Sequence, residues 1–147
     1  MCIRDSDGTI NIGGNLTVDN SVEFNDSRLI DNALLQVAGD LDFFGGTGDD
    51  IVILNDSSSV GGNIDIRAAQ GDNEAIIRGE FGGDSIRYGG GAGVDTVTLD
   101  TTGGSAVNVN VRLGAGDDEF TLEPEQDLSL LRVDFGCLLY TSPSPRD

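Results

Sequence analysis

The sequence predicts an all-β fold, a parallel β-solenoid with about 22–23 residues in each coil. Apolar residues recur in pairs separated by one position, which is the alternation of a strand with one buried face. Successive pairs lie 11 or 12 residues apart, and glycine-rich turns with Asp or Asn separate them. These turn residues break any helix of useful length. Since one repeat has too few apolar residues for a core, stacked coils are favoured over an antiparallel meander.

The apolar pairs define two main predicted strands in each coil, and like pairs are expected to stack. The first series is Leu41/Phe43, Ile64/Ile66, Ile86/Tyr88, Val109/Val111 and Leu131/Val133. The second series is Val52/Leu54, Ala75/Ile77, Val97/Leu99 and Phe120/Leu122. Before Leu41 the spacing is irregular: Leu16/Val18 lie 25 residues earlier, Val22/Phe24 come early, and residues 28–36 are interpreted as an insertion.

Charge excludes several classes of function. The chain has 26 acidic and 8 basic residues, no histidine, and a formal net charge of −18. Such a chain repels nucleic acid and anionic membranes and attracts cations. No apolar run approaches the roughly 18 residues of a membrane span, so we expect neither nucleic acid as a partner nor membrane insertion. Without histidine, Ser–His and Cys–His nucleophile systems are impossible, and we expect no enzyme.

Acidic and amide residues in the turns before the second series are candidate metal ligands. Stacking would place Asp50, Asn73, Asp95 and Asp118 in one column and Asp49, Asp72 and Asp117 in the next. Carboxylates one coil apart repel unless a cation, an amide or solvent intervenes. Calcium takes six to eight oxygen ligands, so calcium is the expected cofactor. The alternative is an exposed turn whose Asp and Asn side chains satisfy its own backbone.

The predicted outward positions of the first series carry arginines. Stacking would place Asp65 beside Arg87, and opposite charges on adjacent strands are mildly favourable. Arg67 and Arg112 occupy equivalent positions two coils apart. A basic residue on such a face could serve a polysaccharide-cleaving β-helix enzyme, and this is the least favoured of the alternatives.

Several motifs resemble known repeats. Residues 45–52, 90–97 and 113–120 resemble the G-G-x-G-x-D-x-U-x nonapeptide of calcium-binding RTX repeats, although here the motif returns only every 22–23 residues. Residues 13–18 and 93–99 more closely resemble the GGNLTI…GAGDDTVTL repeats of large bacterial surface proteins.

The second resemblance implies a right-handed β-helix in an extracellular or cell-surface protein. It also implies a non-catalytic structural or adhesive module of a larger secreted or surface protein, with neighbouring repeats of the parent chain as partners. A calcium- or glycan-binding solenoid module, with surface glycans as partners, is the alternative.

The two ends resemble translated sequencing-adapter DNA. The reverse complement of DNA that could encode residues 1–6 encodes Cys-Leu-Leu-Tyr-Thr in another frame, and this is the sequence of residues 137–141. We therefore expect residues 1–6 and 137–147 to be artefactual and exclude them from fold reasoning. The solenoid repeat fragment is expected to span residues 7–136, which contain no cysteine.

Overall fold

A computed structural model describes residues 2–3, 9–21, 26–31, 34–101, 107–123 and 128–136. These residues form fifteen strands and no helix, and every strand pairing among them is parallel. The strands are β1 (Cys2–Ile3), β2 (Thr9–Ile12), β3 (Leu16–Asp19), β4 (Arg28–Ile30), β5 (Leu34–Val37), β6 (Leu41–Phe44), β7 (Ile51–Leu54), β8 (Ser59–Val60), β9 (Ile64–Arg67), β10 (Asn73–Phe81), β11 (Ser85–Gly89), β12 (Asp95–Thr101), β13 (Val107–Arg112), β14 (Glu119–Leu122) and β15 (Leu128–Asp134). The predicted parallel β-solenoid is confirmed.

The strands lie on three faces, which we call sheets A, B and C. Sheet A contains β1, β4, β7, β10, β12 and β14 in spatial order. Sheet B contains β2, β5, β8 and the end of β10, and sheet C contains β3, β6, β9, β11, β13 and β15. From β1 to β11 the chain passes through A, B and C in turn, so these coils have a third strand beyond the two main strands that the sequence predicts.

The register confirms the predicted stacking of like pairs. In sheet C, Leu16 pairs with Leu41, and the ladder continues through Ile64, Ile86, Val109 and Leu131. These steps are 25, 23, 22, 23 and 22 residues long. In sheet A, Val52, Ala75, Val97 and Phe120 pair in register and form the predicted second ladder.

The predicted insertion at residues 28–36 is wrong. Arg28–Ile30 forms β4 in sheet A, where Leu29 pairs with Val52, and Leu34–Val37 forms β5 in sheet B. Both segments bury apolar side chains, which is why they belong to the solenoid. Cys2 and Ile3 pair with Arg28 and Leu29. The Val22/Phe24 pair, Met1 and residues 4–6 and 137–147 lie outside the described residues.

A single continuous core runs inside the three sheets. Phe43 and Leu41 are fully buried, as are most inward residues of the middle coils. Leu131 holds the equivalent position on β15 but is 41 % exposed, because among the described strands β15 pairs only with β13. Within the described residues, no helix is long and apolar enough to cross a membrane.

Candidate functional site

The seven predicted metal ligands all lie at the corner that leads into sheet A. They stack in two columns along the solenoid axis, as predicted. The inner column contains Asp50, Asn73, Asp95 and Asp118, and the outer column contains Asp49, Asp72 and Asp117. Asp50, Asn73 and Asp95 are buried, whereas the three outer aspartates are more exposed.

Glycines bring successive turns at this corner into close contact. Gly93 has a φ of +134°, and a Cβ on it would overlap the carbonyl oxygen of Gly71 in the turn of the preceding coil. Gly71 has a φ of +112° and faces the carbonyl oxygen of Gly48 in the same way. Residues with a side chain rarely adopt this conformation, so the repeating glycines set how tightly the Asp-bearing turns stack.

The inner column is a ladder of hydrogen bonds to the backbone of the preceding coil. The N–H of Ser27 donates to Asp50 Oδ1 at 2.9 Å, and the N–H of Asp50 donates to Asn73 Oδ1 at 3.0 Å. The N–H of Asp95 donates to Asp118 Oδ1 at 3.0 Å. Side chains and turns of adjacent coils are therefore tied together at intervals of 23 residues.

The amide of Asn73 separates two carboxylates in the inner column. Its Nδ2 donates to Asp95 Oδ1 at 2.7 Å and to the carbonyl oxygen of Gly71 at 3.0 Å. The hydroxyl of Tyr88 also donates to Asp95 Oδ1, at 3.0 Å. Two donors thus converge on one oxygen of a buried carboxylate, which compensates part of its desolvation.

The other carboxylate oxygens of the inner column are not satisfied. Asp50 Oδ2, Asp95 Oδ2 and Asp118 Oδ2 are buried and have no hydrogen-bond partner. Burial raises the pKa of Asp50 and of Asp95 above the usual value for aspartate, because desolvation disfavours the charged form. Burial and the nearby Asp95 charge likewise raise the pKa of Tyr88, which keeps its hydroxyl protonated as a donor.

The outer column uses the same kind of bond in the opposite direction. The N–H of Asp49 donates to Asp26 Oδ1 at 3.1 Å, and the N–H of Asp72 donates to Asp49 Oδ1 at 2.9 Å. The N–H of Val94 donates to Asp72 Oδ1 at 2.8 Å, so valine continues the column through its backbone alone. In these bonds, each aspartate caps the turn of the next coil.

The two columns do not come together as a metal centre. Among the described residues, no group of three or more acidic, histidine or cysteine side chains converges as metal ligands would. One oxygen of Asp49, Asp50, Asp72 and Asp118 accepts a backbone N–H instead. Calcium binding at these residues stays a prediction, and their observed role is to link coils.

A third column lies at the corner before sheet C and was not predicted as a site. The N–H of Asp40 donates to Asn15 Oδ1 at 3.0 Å, the N–H of Asn63 to Asp40 Oδ1 at 2.7 Å, and the N–H of Ser85 to Asn63 Oδ1 at 3.0 Å. The sequence signal is an Asn or Asp after glycine, directly before an apolar strand. This signal predicts a turn, but it does not show which backbone N–H the Asn or Asp oxygen accepts.

The outward face of sheet C brings three arginines together, and Arg67 and Arg112 lie two coils apart at equivalent positions, as predicted. Arg67 and Arg112 both pair in register with Gly89, which lies between them, and Arg87 precedes Gly89 on the same face of β11. They line an open groove of about 430 Å³ together with Asp65 and Asn110.

The predicted register of Asp65 beside Arg87 is confirmed, but the ion pair forms elsewhere. Asp65 pairs with Arg67, two residues along its own strand, through contacts of 2.7 and 3.3 Å. These contacts raise the pKa of Arg67 further above neutrality. Within the described part of the chain, Arg87 and Arg112 form no ion pair.

In comparisons with known proteins, no family model matches this chain, and no curated protein or solved structure is significantly similar to it.

Proposed function

We propose that this chain is a non-catalytic structural or adhesive module, a repeat segment of a larger secreted or cell-surface protein. The observation that supports this role is the way the recurring turn residues are used within the chain. Three columns of Asp and Asn side chains accept backbone N–H groups of adjacent coils rather than converge on a cavity. Such bonds add to the backbone–backbone hydrogen bonds that link the same turns, as from Gly93 N–H to Ala115 O and from Gly62 N–H to Gly39 O.

A solenoid gains its stability from interfaces between neighbouring repeats. In this chain the interfaces combine a continuous apolar core with polar columns at two corners. Both features repeat with the coil and neither depends on distant parts of the sequence. Neighbouring repeats of the same parent chain are therefore the proposed partners, and the extracellular or surface location follows from the repeat resemblance.

The calcium-binding alternative makes a different prediction for the same residues. Calcium that binds only the folded chain raises the free energy of unfolding by RT ln(1 + [L]/Kd), where [L] is the free calcium concentration and Kd its dissociation constant. The unfolding midpoint rises as a result. Three buried oxygens without partners, on Asp50, Asp95 and Asp118, are the observation that favours this alternative.

Thermal unfolding followed by circular dichroism separates the two roles. The chain is measured in EDTA, in millimolar calcium and in matched magnesium. The structural role predicts a cooperative β-sheet transition in EDTA and the same midpoint within about one degree in all three conditions. A midpoint several degrees higher in calcium alone would support the calcium-binding module, and an unfolded chain in EDTA would contradict the structural proposal.

A further inference from the structure

The arginine groove is exceptional in its charge. The chain carries a net charge of −18, yet Arg67, Arg87 and Arg112 lie together on one face. The side chain of Asp65 is the acidic group lining this groove, and its carboxylate is engaged by Arg67. Two guanidinium groups therefore remain without an ion pair among the described residues.

Gly89 leaves a gap between these arginines. It ends β11 and pairs with Arg67 on one side and Arg112 on the other. A Cβ at this position would meet no atom within 4 Å, and Gly89 is absent from the glycines with positive φ. Neither packing nor backbone conformation requires glycine here. Glycine in a strand marks a bulge, a tight bend, or a place where a ligand or another backbone approaches closely; at Gly89 the register is regular on both sides and the gap lies open between the arginines.

The spacing of the arginines suits a linear ligand. Adjacent strands lie about 4.8 Å apart, so the row Arg67–Gly89–Arg112 spans two strand steps along the solenoid axis. One strand step is comparable to the length of one sugar ring. Since β9, β11 and β13 each carry one of the three arginines, a polymer with one carboxylate per ring can lie over Gly89 and present successive carboxylates to them.

The side chains favour a carboxylate over a neutral sugar. Guanidinium groups bind carboxylates with two parallel hydrogen bonds. Neutral sugars are held largely against exposed aromatic rings, and the groove offers none: Tyr88 is 3 % exposed, and the Arg67 guanidinium covers the ring of Phe44 at 5.2 Å from its centroid.

Nucleic acid fits these observations less well. A DNA duplex presents a charge about every 1.7 Å, and the surrounding charge of −18 opposes such a dense polyanion. We propose that the groove over Gly89 binds the carboxylates of an acidic polysaccharide, a polyuronate, through Arg87 and Arg112, with Arg67 held in place by Asp65. This site is independent of the structural role proposed above.

The test is isothermal titration of the full chain with a hexamer of galacturonate at low ionic strength. The expected result is binding that weakens at least tenfold in Arg87→Ala and in Arg112→Ala. Gly89→Glu places an internal carboxylate between the arginines and should abolish binding. Gly89→Gln fills the same gap without a charge, so comparing the two variants separates the effect of charge from the effect of bulk. The matched control is Arg78→Ala, which removes one positive charge at Arg78, a residue paired with Asp100 on β12; it should change affinity less than twofold.

Further arms identify the ligand. Monomeric galacturonate should bind at least tenfold more weakly than the hexamer, and a neutral hexamer of galactose should not bind. Equal affinity for a sulfated hexasaccharide would overturn recognition of carboxylate, and equal affinity for the monomer would overturn the polysaccharide. No binding of the hexamer, or equal losses in Arg78→Ala and Arg112→Ala, would overturn the site itself. Circular dichroism of every variant checks folding, and the exposed arginine variants decide the result if Gly89→Glu does not fold.

Discussion

Replacing Asn73 by aspartate should reveal how the inner column tolerates buried carboxylates. In the parent chain, Asn73 Nδ2 donates to Asp95 Oδ1 at 2.7 Å and to Gly71 O at 3.0 Å. An ionised aspartate keeps the acceptor for the Asp50 N–H but loses both donated bonds. A hydrogen bond to a charged group is worth about 1.5–3 kcal/mol and a neutral one about 0.5–1.5 kcal/mol.

The expected loss for Asn73→Asp is therefore about 2–4.5 kcal/mol at pH 7, before carboxylate repulsion is added. Equilibrium urea unfolding followed by circular dichroism measures it. The loss should shrink near pH 4, because the introduced carboxyl group, once protonated, can donate to Asp95 again. Asp72→Asn is the matched control: it keeps the acceptor for the Val94 N–H at an exposed site and should cost less than about 0.5 kcal/mol.

A loss of less than about 1 kcal/mol for Asn73→Asp at pH 7 would refute the reasoning. So would a loss of equal size at pH 7 and pH 4, because the carboxylate charge would then have no part in it. If calcium selectively restores the stability of Asn73→Asp, the substitution has created a cation site in the inner column. That result would concern the variant and would not show that the parent chain binds calcium.

Two further predictions concern the same corner. Gly93→Ala should destabilise the fold by about 1–3 kcal/mol, since the φ of Gly93 is +134° and the new Cβ would overlap Gly71 O. In the control Gly13→Ala, the new Cβ meets nothing within 4 Å, so the urea midpoint should change little. Equal effects of the two substitutions would contradict the prediction. Because burial raises the pKa of Asp95, its contribution to stability is present below the unfolded value of 3.8 and is lost as pH rises through the folded value. The unfolding free energy of the parent relative to Asp95→Asn should thus fall as pH rises above the unfolded value of 3.8, and a flat or rising difference would be the contrary outcome.

The predictable part of the fold depended on alternation. Pairs such as Ile64/Ile66 and Val52/Leu54 point inward, and their near-constant spacing specified the stacking of sheets A and C. Sheet B escaped prediction for two reasons: β2 and β5 lie where the spacing is irregular, and β8 is only Ser59–Val60 beside a Gly-Gly turn. Two residues give no visible period, so the sequence does not distinguish the inward Val60 from part of the turn.

The site was predictable in position but not in bonding. Sequence spacing placed Asp50, Asn73 and Asp95 in one column, and the register agrees. Which atoms their oxygens bind depends on the direction of backbone N–H groups at the corner, which spacing does not specify. The groove over Gly89 was equally hidden, because a gap between arginines appears only when three coils are aligned.

The columns also determine which changes of length this fold can absorb. Removing or duplicating 22 or 23 residues joins equivalent corners, so each Asp or Asn still faces an N–H of the neighbouring coil. Removing about 11 residues would instead place a sheet C strand where a sheet A strand belongs and bring the buried Asp column against a corner of a different kind. Recombination between gene segments can therefore lengthen or shorten such a protein by whole coils while the fold is kept.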